Sequence, residues 1–167
     1  LGLALALLPV VSLGAGAVNR KELSGGAPSG IAVSGDGLLV TDTFNKVIWK
    51  ISGDTVTRWV GKIGTADLSG EPAGAYVDGS VDEARFMEPW AIAPYLNGYA
   101  VTDTEADVVR FTDGRTVRTA AGSGKSGYAD GTGAAVSFAR PTGLAAGADG
   151  ELYIADTDNG LIRRLDR

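Results

Sequence analysis

The sequence contains no cysteine and no histidine. Without cysteine there is no disulfide scaffold, no thiol nucleophile and no thiolate metal site. Without histidine the commonest general base and the commonest metal ligand are missing too. Positive charge is scarce, with 15 Lys and Arg against 20 Asp and Glu, a formal net of −5. A nucleic-acid reader carries a basic face, so that class is disfavoured. The longest uncharged stretch, 1–19, is broken by Pro9 and several glycines. That argues against a bilayer-spanning helix, which needs about 18 apolar residues. What is present is a globular composition, 44% hydrophobic and 21% charged, with 25 glycines that make the chain turn often. A length of 167 residues suits one domain with a real core.

Residues 1–17 resemble a secretory signal: an apolar run, then Ala15-Gly16-Ala17 as a small-x-small cleavage site. The basic start and initiator methionine of such a signal are absent, which implies a chain cut at its N-terminus. The expectation is an exported, extracellular or cell-surface protein, not held at a membrane once the leader is removed.

The remaining 18–167 are one unit written about three times. The copies align at Pro28, Pro89 and Pro141, giving repeats 28–61, 89–122 and 141–167. Asp36-Gly37, Asn97-Gly98 and Asp149-Gly150 fall 8 and 9 residues after each proline. Asp42, Asp103 and Asp156 follow 14, 14 and 15 after it. Gly61 and Gly122 each lie 33 after their proline. Upstream, Tyr76-x-Asp78 with Phe86 repeats as Tyr128-x-Asp130 with Phe138.

Each copy divides into short, β-branched or aromatic-rich runs; in the first they are 30–34, 38–42, 46–52 and 55–61. No stretch holds a helical apolar period. The Asp-Gly and Asn-Gly pairs are expected at the centre of two-residue hairpin turns with positive φ. The unit is then a four-stranded antiparallel meander. Such sheets hide their faces by stacking around an axis, so the expected fold is all-β, a β-propeller. Propellers close with about 4–8 blades, and this sequence holds about three, the last without its fourth strand.

The pattern Pro-x-Gly-Ile-Ala-Val…Asp-Gly…Val-Thr-Asp-Thr…Asn…Val-Ile resembles the NHL-repeat family of propellers, as does Gly127-Tyr-Ala-Asp-Gly…Ser-Phe-Ala-Arg-Pro141. The second repeat departs from it, with Ala91 for Gly30 and Gly143, and Ala106 for Asn45 and Asn159. With about three blades the molecule is either cut from a longer, six-bladed protein or an open arc; the first is the expectation, because an open arc exposes blade faces and strand edges.

Asp42, Asp103 and Asp156 recur in every copy, so they read as structural acceptors rather than as a catalytic ring. Asp156-Thr-Asp158-Asn-Gly160 is too short for a calcium loop and lacks its terminal glutamate. Gly122-Ser-Gly-Lys-Ser-Gly lacks the setting of a phosphate loop. No cofactor, metal site or catalytic residue is therefore expected. Asp78, Asp82, Glu83 and Asp130 on the return loops should share an acidic face with Glu105, Asp107 and Asp158, as solvated charge or a docking surface. Trp49 and Trp59 read as inter-blade core. Trp90 opens an innermost strand and should line the channel mouth beside Tyr95, a platform for sugars or peptides. Arg163-Arg164 reads as a solvated strand face.

The leading expectation is a non-catalytic module that binds or scaffolds a protein, peptide or glycan. Its ligand candidates are Trp90, Tyr95, Asp82, Glu83, Glu105 and Asp158. The alternative implied by the resemblance is part of a six-bladed hydrolase or lactonase, its carboxylate and Asn metal site completed by other blades. An RNA-binding domain is the third class, opposed by the acidic charge and the leader.

Overall fold

The structure is a computed structural model that describes residues 26–167. The leader-like segment 1–17 lies outside the described residues. Everything described is strand, turn and loop apart from two single 3-10 turns, Thr104–Ala106 and Gly133–Ala135.

Three antiparallel sheets follow one another along the chain. The first holds β1 (Pro28–Ser34), β2 (Gly37–Asp42), β3 (Val47–Ser52) and β4 (Thr55–Val60), in that order. The second runs from inner to outer edge as β6 (Pro89–Tyr95), β7 (Gly98–Asp103), β8 (Val108–Thr112) and β9 (Thr116–Ala121). Beyond β9 it gains β5 (Gly79–Ser80), a piece of the preceding return loop. The third has only β10 (Pro141–Ala146), β11 (Leu152–Asp156) and β12 (Leu161–Leu165). The all-β architecture expected from the repeats is the one observed.

The sheets stack face to face. Side chains on a strand alternate between faces, and the two sets enter different cores. Ala32, Leu39 and Ile48 of the first blade meet Ile92, Val101 and Val117 of the second. From its other face Ala93, Ala100, Val109 and Phe111 meet Leu152 and Ile154 of the third. Trp59 joins the first of these cores and packs edge-on against Tyr99, ring centroids 5.7 Å apart. Trp49 instead packs on Val47, Ile51 and Val56 of its own blade. It follows Ile48, so it points to the face turned away from the second blade. The expectation of inter-blade packing holds for Trp59; the face that Trp49 presents is turned toward residues outside those described.

The innermost strands carry the same bulge in every blade, after Pro28, Pro89 and Pro141. There the backbones of neighbouring innermost strands meet. A Cβ on Gly30 would lie 2.6 Å from the Trp90 carbonyl oxygen, so only glycine fits.

The hairpin turns differ from expectation. The first two are centred one residue earlier, on Gly35–Asp36 and Leu96–Asn97, and Gly37 and Gly98 are strand residues. Neither of those glycines has positive φ. They are required because an added Cβ would strike the carbonyl oxygens of Ile51 and Thr112 on the neighbouring strands. In the third blade a longer connection, residues 147–151, replaces the two-residue turn, and there Gly150 does take positive φ, 85°.

Candidate functional site

The repeated aspartates are buried, and each is taken up by donors. Asp42 accepts the backbone N–H of Ala27 and Asn45, the Asn45 amide (2.7 Å) and the Trp49 indole N–H (2.9 Å). Burial alone would raise its pKa; the Asn45 amide, the Asn45 N–H, Trp49 and Ala27 outweigh it and hold the carboxyl below its ordinary value. Asp156 accepts Ala139 N–H, the Asn159 amide and Arg163 (3.0 Å). Asp103 lacks the asparagine, since Ala106 stands there, and instead accepts two backbone N–H groups, of Met87 and Glu88, beside Arg110 (3.1 Å). Burial pushes the Asp103 carboxyl up, opposed by the Glu88 N–H, the Arg110 charge and the Met87 N–H. These carboxylates are structural, as their recurrence implied.

Trp49, Arg110 and Arg163 hold one position, seven residues after the aspartate of their repeat. Arg110 is wholly buried. Its guanidinium donates to Asp103, Asp78 and the carbonyls of Arg85 and Val77. It lies 5.0 and 5.2 Å from the Tyr76 and Phe86 ring centroids. Arg163 repeats this on Asp156, Asp130 and the Ser137 and Ala129 carbonyls, with Tyr128 and Phe138 as its rings. Tyr-x-Asp…Phe is thus the clasp that fastens a return loop onto the third strand of its blade. This corrects the reading of Asp78 and Asp130 as free loop charge and of Arg163 as a solvated strand face; Arg164 alone fits the latter, paired only to Asp166.

The arc keeps one accessible aromatic at its inner end. Ser29, Trp90 and Thr142 each follow the proline that opens an innermost strand. The Trp90 side chain belongs to a residue that is 39% exposed, while its carbonyl is fixed by Ser29 (2.8 Å) and Thr41 (2.6 Å) hydroxyls from the first blade. Thr102 ties the second blade to the Thr142 carbonyl in the same way (2.6 Å). Beside this rim the turn carrying Glu105 is held by Thr104 N–H on the Glu88 carbonyl, and the turn carrying Asp158 by its N–H on the Ala139 carbonyl. Asp107 accepts the Arg140 N–H.

Trp90 and Tyr95 are not brought together, contrary to the expectation. Tyr95 is at the far end of β6, about 16 Å along the strand. It is buried against Ala93, Phe111 and Leu152, and its hydroxyl donates to the Asp166 carbonyl. Asp82 and Glu83 lie in the turn after β5; Asp82 accepts Arg58 of the first blade (2.8 Å) and Glu83 accepts the Ser80 hydroxyl. The neighbouring Val81 N–H reaches Arg115 in the β8–β9 turn, the far end of β8 from the Glu105 turn. The single acidic face is therefore divided: Glu105 and Asp158 flank the Trp90 rim, and Asp82 and Glu83 belong to the outer edge. Among the described residues no three Asp or Glu side chains converge as a metal-binding group.

Face-to-face antiparallel meanders of three to five strands arranged along an arc define the described residues as consecutive blades of a β-propeller. Residues 138–165 match the NHL repeat, so the third repeat is an NHL repeat, and the first two share its strands, bulge and buried aspartate. Two solved structures of auxiliary nutrient binding proteins are similar in fold. The one from Bacteroides ovatus has a TM-score of 0.67 at 22% identity, covering 80% of this chain and 36% of its own. The one from Bacteroides thetaiotaomicron has a TM-score of 0.67 at 21% identity, covering 83% of this chain and 36% of its own. The SUPPRESSOR OF QUENCHING 1 protein of Arabidopsis thaliana, a chloroplastic protein, is 40% identical over 92 residues, 53% of this chain and 9% of that one. The chain thus spans little more than a third of the solved relatives and a tenth or less of the plant protein.

Proposed function

We propose that this arc is a non-catalytic binding module whose ligand, a protein, peptide or glycan segment, lies across the inner rim on Trp90. One observation carries the reading. A large aromatic stands 39% exposed on an innermost strand, at a position where the sister repeats place small hydroxyl residues. Its backbone carbonyl is fixed by two hydroxyls, so the strand that presents the indole is held in place. Glu105 and Asp158 at its flank supply carboxylates to a ligand that pairs an apolar face with hydroxyl or basic groups. Tyr95, Asp82 and Glu83 are outside this patch. The leader-like segment 1–17 supports an exported module working at or beyond the cell surface. The net charge of −5 argues against nucleic acid as the partner.

The alternative, a metal-dependent hydrolase or lactonase completed by other blades, draws no ligands from Asp42, Asp103 or Asp156, whose oxygens are committed to donors. The test is a glycan and peptide array probed with the protein and with Trp90→Ala. Retention of selected ligands by the parent, and their loss from the variant at unchanged thermal stability, supports the reading. An array that retains nothing, or a variant that binds as well as the parent, removes it.

A further inference from the structure

On the strength of the Trp90 reading, we infer that the ligand of the rim is an extended peptide segment of a second protein. The hairpin of residues 65–73 is its other point of contact, and Leu68 is the anchor there.

The hairpin is an insertion that a blade does not need, and it lies between the first and second blades. Gly61 and Asp78 are 17 residues apart, whereas the matching Gly122 and Asp130 are 8 apart. The nine extra residues close on themselves: Ala66 bridges Pro72, and the Ala73 N–H donates to the Thr65 carbonyl (3.0 Å). The base is fastened to the segment that enters the second blade. There the Lys62 and Ala75 N–H groups donate to the Ala84 and Phe86 carbonyls, and Arg85 donates to the Ala73 carbonyl (2.7 Å). At the tip the Asp67 carboxylate accepts the N–H groups of Ser69 (2.8 Å) and Glu71 (3.1 Å) and the Ser69 hydroxyl (2.6 Å). The turn is thus ordered without a ligand, yet Leu68 within it is fully exposed. A leucine held out in water on an ordered turn gains nothing in the free molecule; it gains when apolar surface covers it. In repeat architectures, insertions into single repeats map to loops on one face, often the one that binds.

The hairpin stands at the Trp90 end of the blades. It departs from Gly61, where an added Cβ would lie 3.2 Å from the Lys46 carbonyl oxygen at the β2–β3 turn. It returns at Gly74, where an added Cβ would lie 3.0 Å from the Met87 Cα. The Met87 N–H is held by Asp103, the last residue of β7. Trp90 is three residues further on, about 10 Å of extended chain. Two apolar anchors separated in this way call for a ligand several residues long, and Leu68 decides its kind. Leucine has no ring face on which a sugar stacks and no donor or acceptor for sugar hydroxyls. What covers it is an apolar side chain, and an extended peptide carries side chains at intervals of about 3.3 Å. The charges nearby select a basic peptide. Glu71 at the hairpin tip, and Glu105 and Asp158 at the rim, form no ion pair among the described residues. The segment therefore offers one apolar side chain to Leu68, another to the indole, and at least one Lys or Arg to these carboxylates.

The test arrays glycans and peptides of about 12 residues, about 40 Å when extended, against the whole protein. Retained peptides are labelled with fluorescein and titrated by anisotropy against the parent, Trp90→Ala and Leu68→Ala. Peptides that carry Lys or Arg are expected, lost from Trp90→Ala and weakened about tenfold or more by Leu68→Ala, which removes the apolar surface that binding buries. Removal of residues 65–73, joining Gly64 to Gly74, should weaken them at least as much. Leu68 is fully exposed, so Leu68→Ala should melt with the parent and its result is readable even if the shortened chain is unstable. Peptides that need Trp90 but bind Leu68→Ala as tightly as the parent overturn the hairpin's role and leave the rim reading intact. Glycans retained through Trp90 in place of peptides do the same. An array that retains nothing, or binding indifferent to Trp90, removes the rim reading and the hairpin's role with it.

Discussion

Arg110 and Asp103 form an ion pair at 3.1 Å with both side chains at zero exposure, seven residues apart on neighbouring strands. Isolated in the interior, either charge would be prohibitively costly. Here three Asp103 acceptor contacts and four Arg110 donor contacts cover most of both groups. Removing one partner should leave the other buried and uncompensated, at a cost of about 3–5 kcal/mol. Arg110→Ala should therefore lower the urea midpoint steeply, and Arg110→Lys should not restore it, because one ammonium cannot span the guanidinium's contacts. Arg163→Ala, at the open edge, should cost less. Equal, small effects of both substitutions would remove the clasp from the account.

Gly30 and Gly143 occupy the same repeat position in different surroundings. A Cβ on Gly30 meets the Trp90 carbonyl oxygen and the Ala91 Cα, at 2.6 and 2.8 Å; on Gly143 it meets only the Ala155 side chain at 3.4 Å. Gly30→Ala should destabilise by about 1–3 kcal/mol through forced separation of the blades. Gly143→Ala should stay within about 0.5 kcal/mol of the parent. Denaturant titration of the pair reads the difference directly.

Thr41 and Thr102 are the stitches between blades, each donating to a carbonyl of the next innermost strand at 2.6 Å. The position is Ala155 in the third blade. Thr41→Val and Thr102→Val should each cost about 1–3 kcal/mol, since each leaves a backbone N–H, of Gly30 or Ala91, without its hydroxyl acceptor; Thr102→Val also takes the hydroxyl donor from the Thr142 carbonyl, whereas the Trp90 carbonyl keeps Ser29. The effects should be near-additive, because the stitches serve different interfaces.

The Asp42 carboxyl has its pKa lowered in the folded protein. Below the unfolded-state value, about 3.9, the unfolded chain binds the extra proton first. Stability from this group is therefore present above that value and is lost as pH falls through the folded one. Asp36, Asp67, Asp113 and Glu151 are shifted in the same direction. The informative quantity is thus the difference between parent and Asp42→Asn. The variant should be less stable at pH 6, and the gap should narrow as pH falls below about 4. A gap that stays constant to pH 3 contradicts the assignment.

The repeat, the strands and the structural role of the aspartates were legible because each recurs at fixed spacing. The clasp was half legible. Tyr76, Asp78 and Phe86 repeat visibly, but their common partner does not, since the position seven after the aspartate is Trp49, Arg110 or Arg163. The signal was there in correlated form. Arginine occurs in the two repeats preceded by Tyr-x-Asp…Phe, and tryptophan in the one whose corresponding upstream residues are Ala15, Ala17 and Gly25. The turn centres were misplaced because Asp-Gly was read as a demand for positive φ. At Gly37 and Gly98 the demand is space beneath a neighbouring carbonyl, which only three-dimensional packing reveals. Tyr95 and Trp90 share one innermost strand, which the sequence shows, but five residues of β rise carry Tyr95 to the opposite end, which it does not.

The most direct test of the stacked-blade architecture is a set of methyl and aromatic NOEs in the labelled protein. Contacts between Ile48 and Val101, and between Phe111 and Ile154, are expected across the two interfaces. Spectra in which every NOE stays within a single repeat would show sheets that do not pack on one another, and would contradict the account.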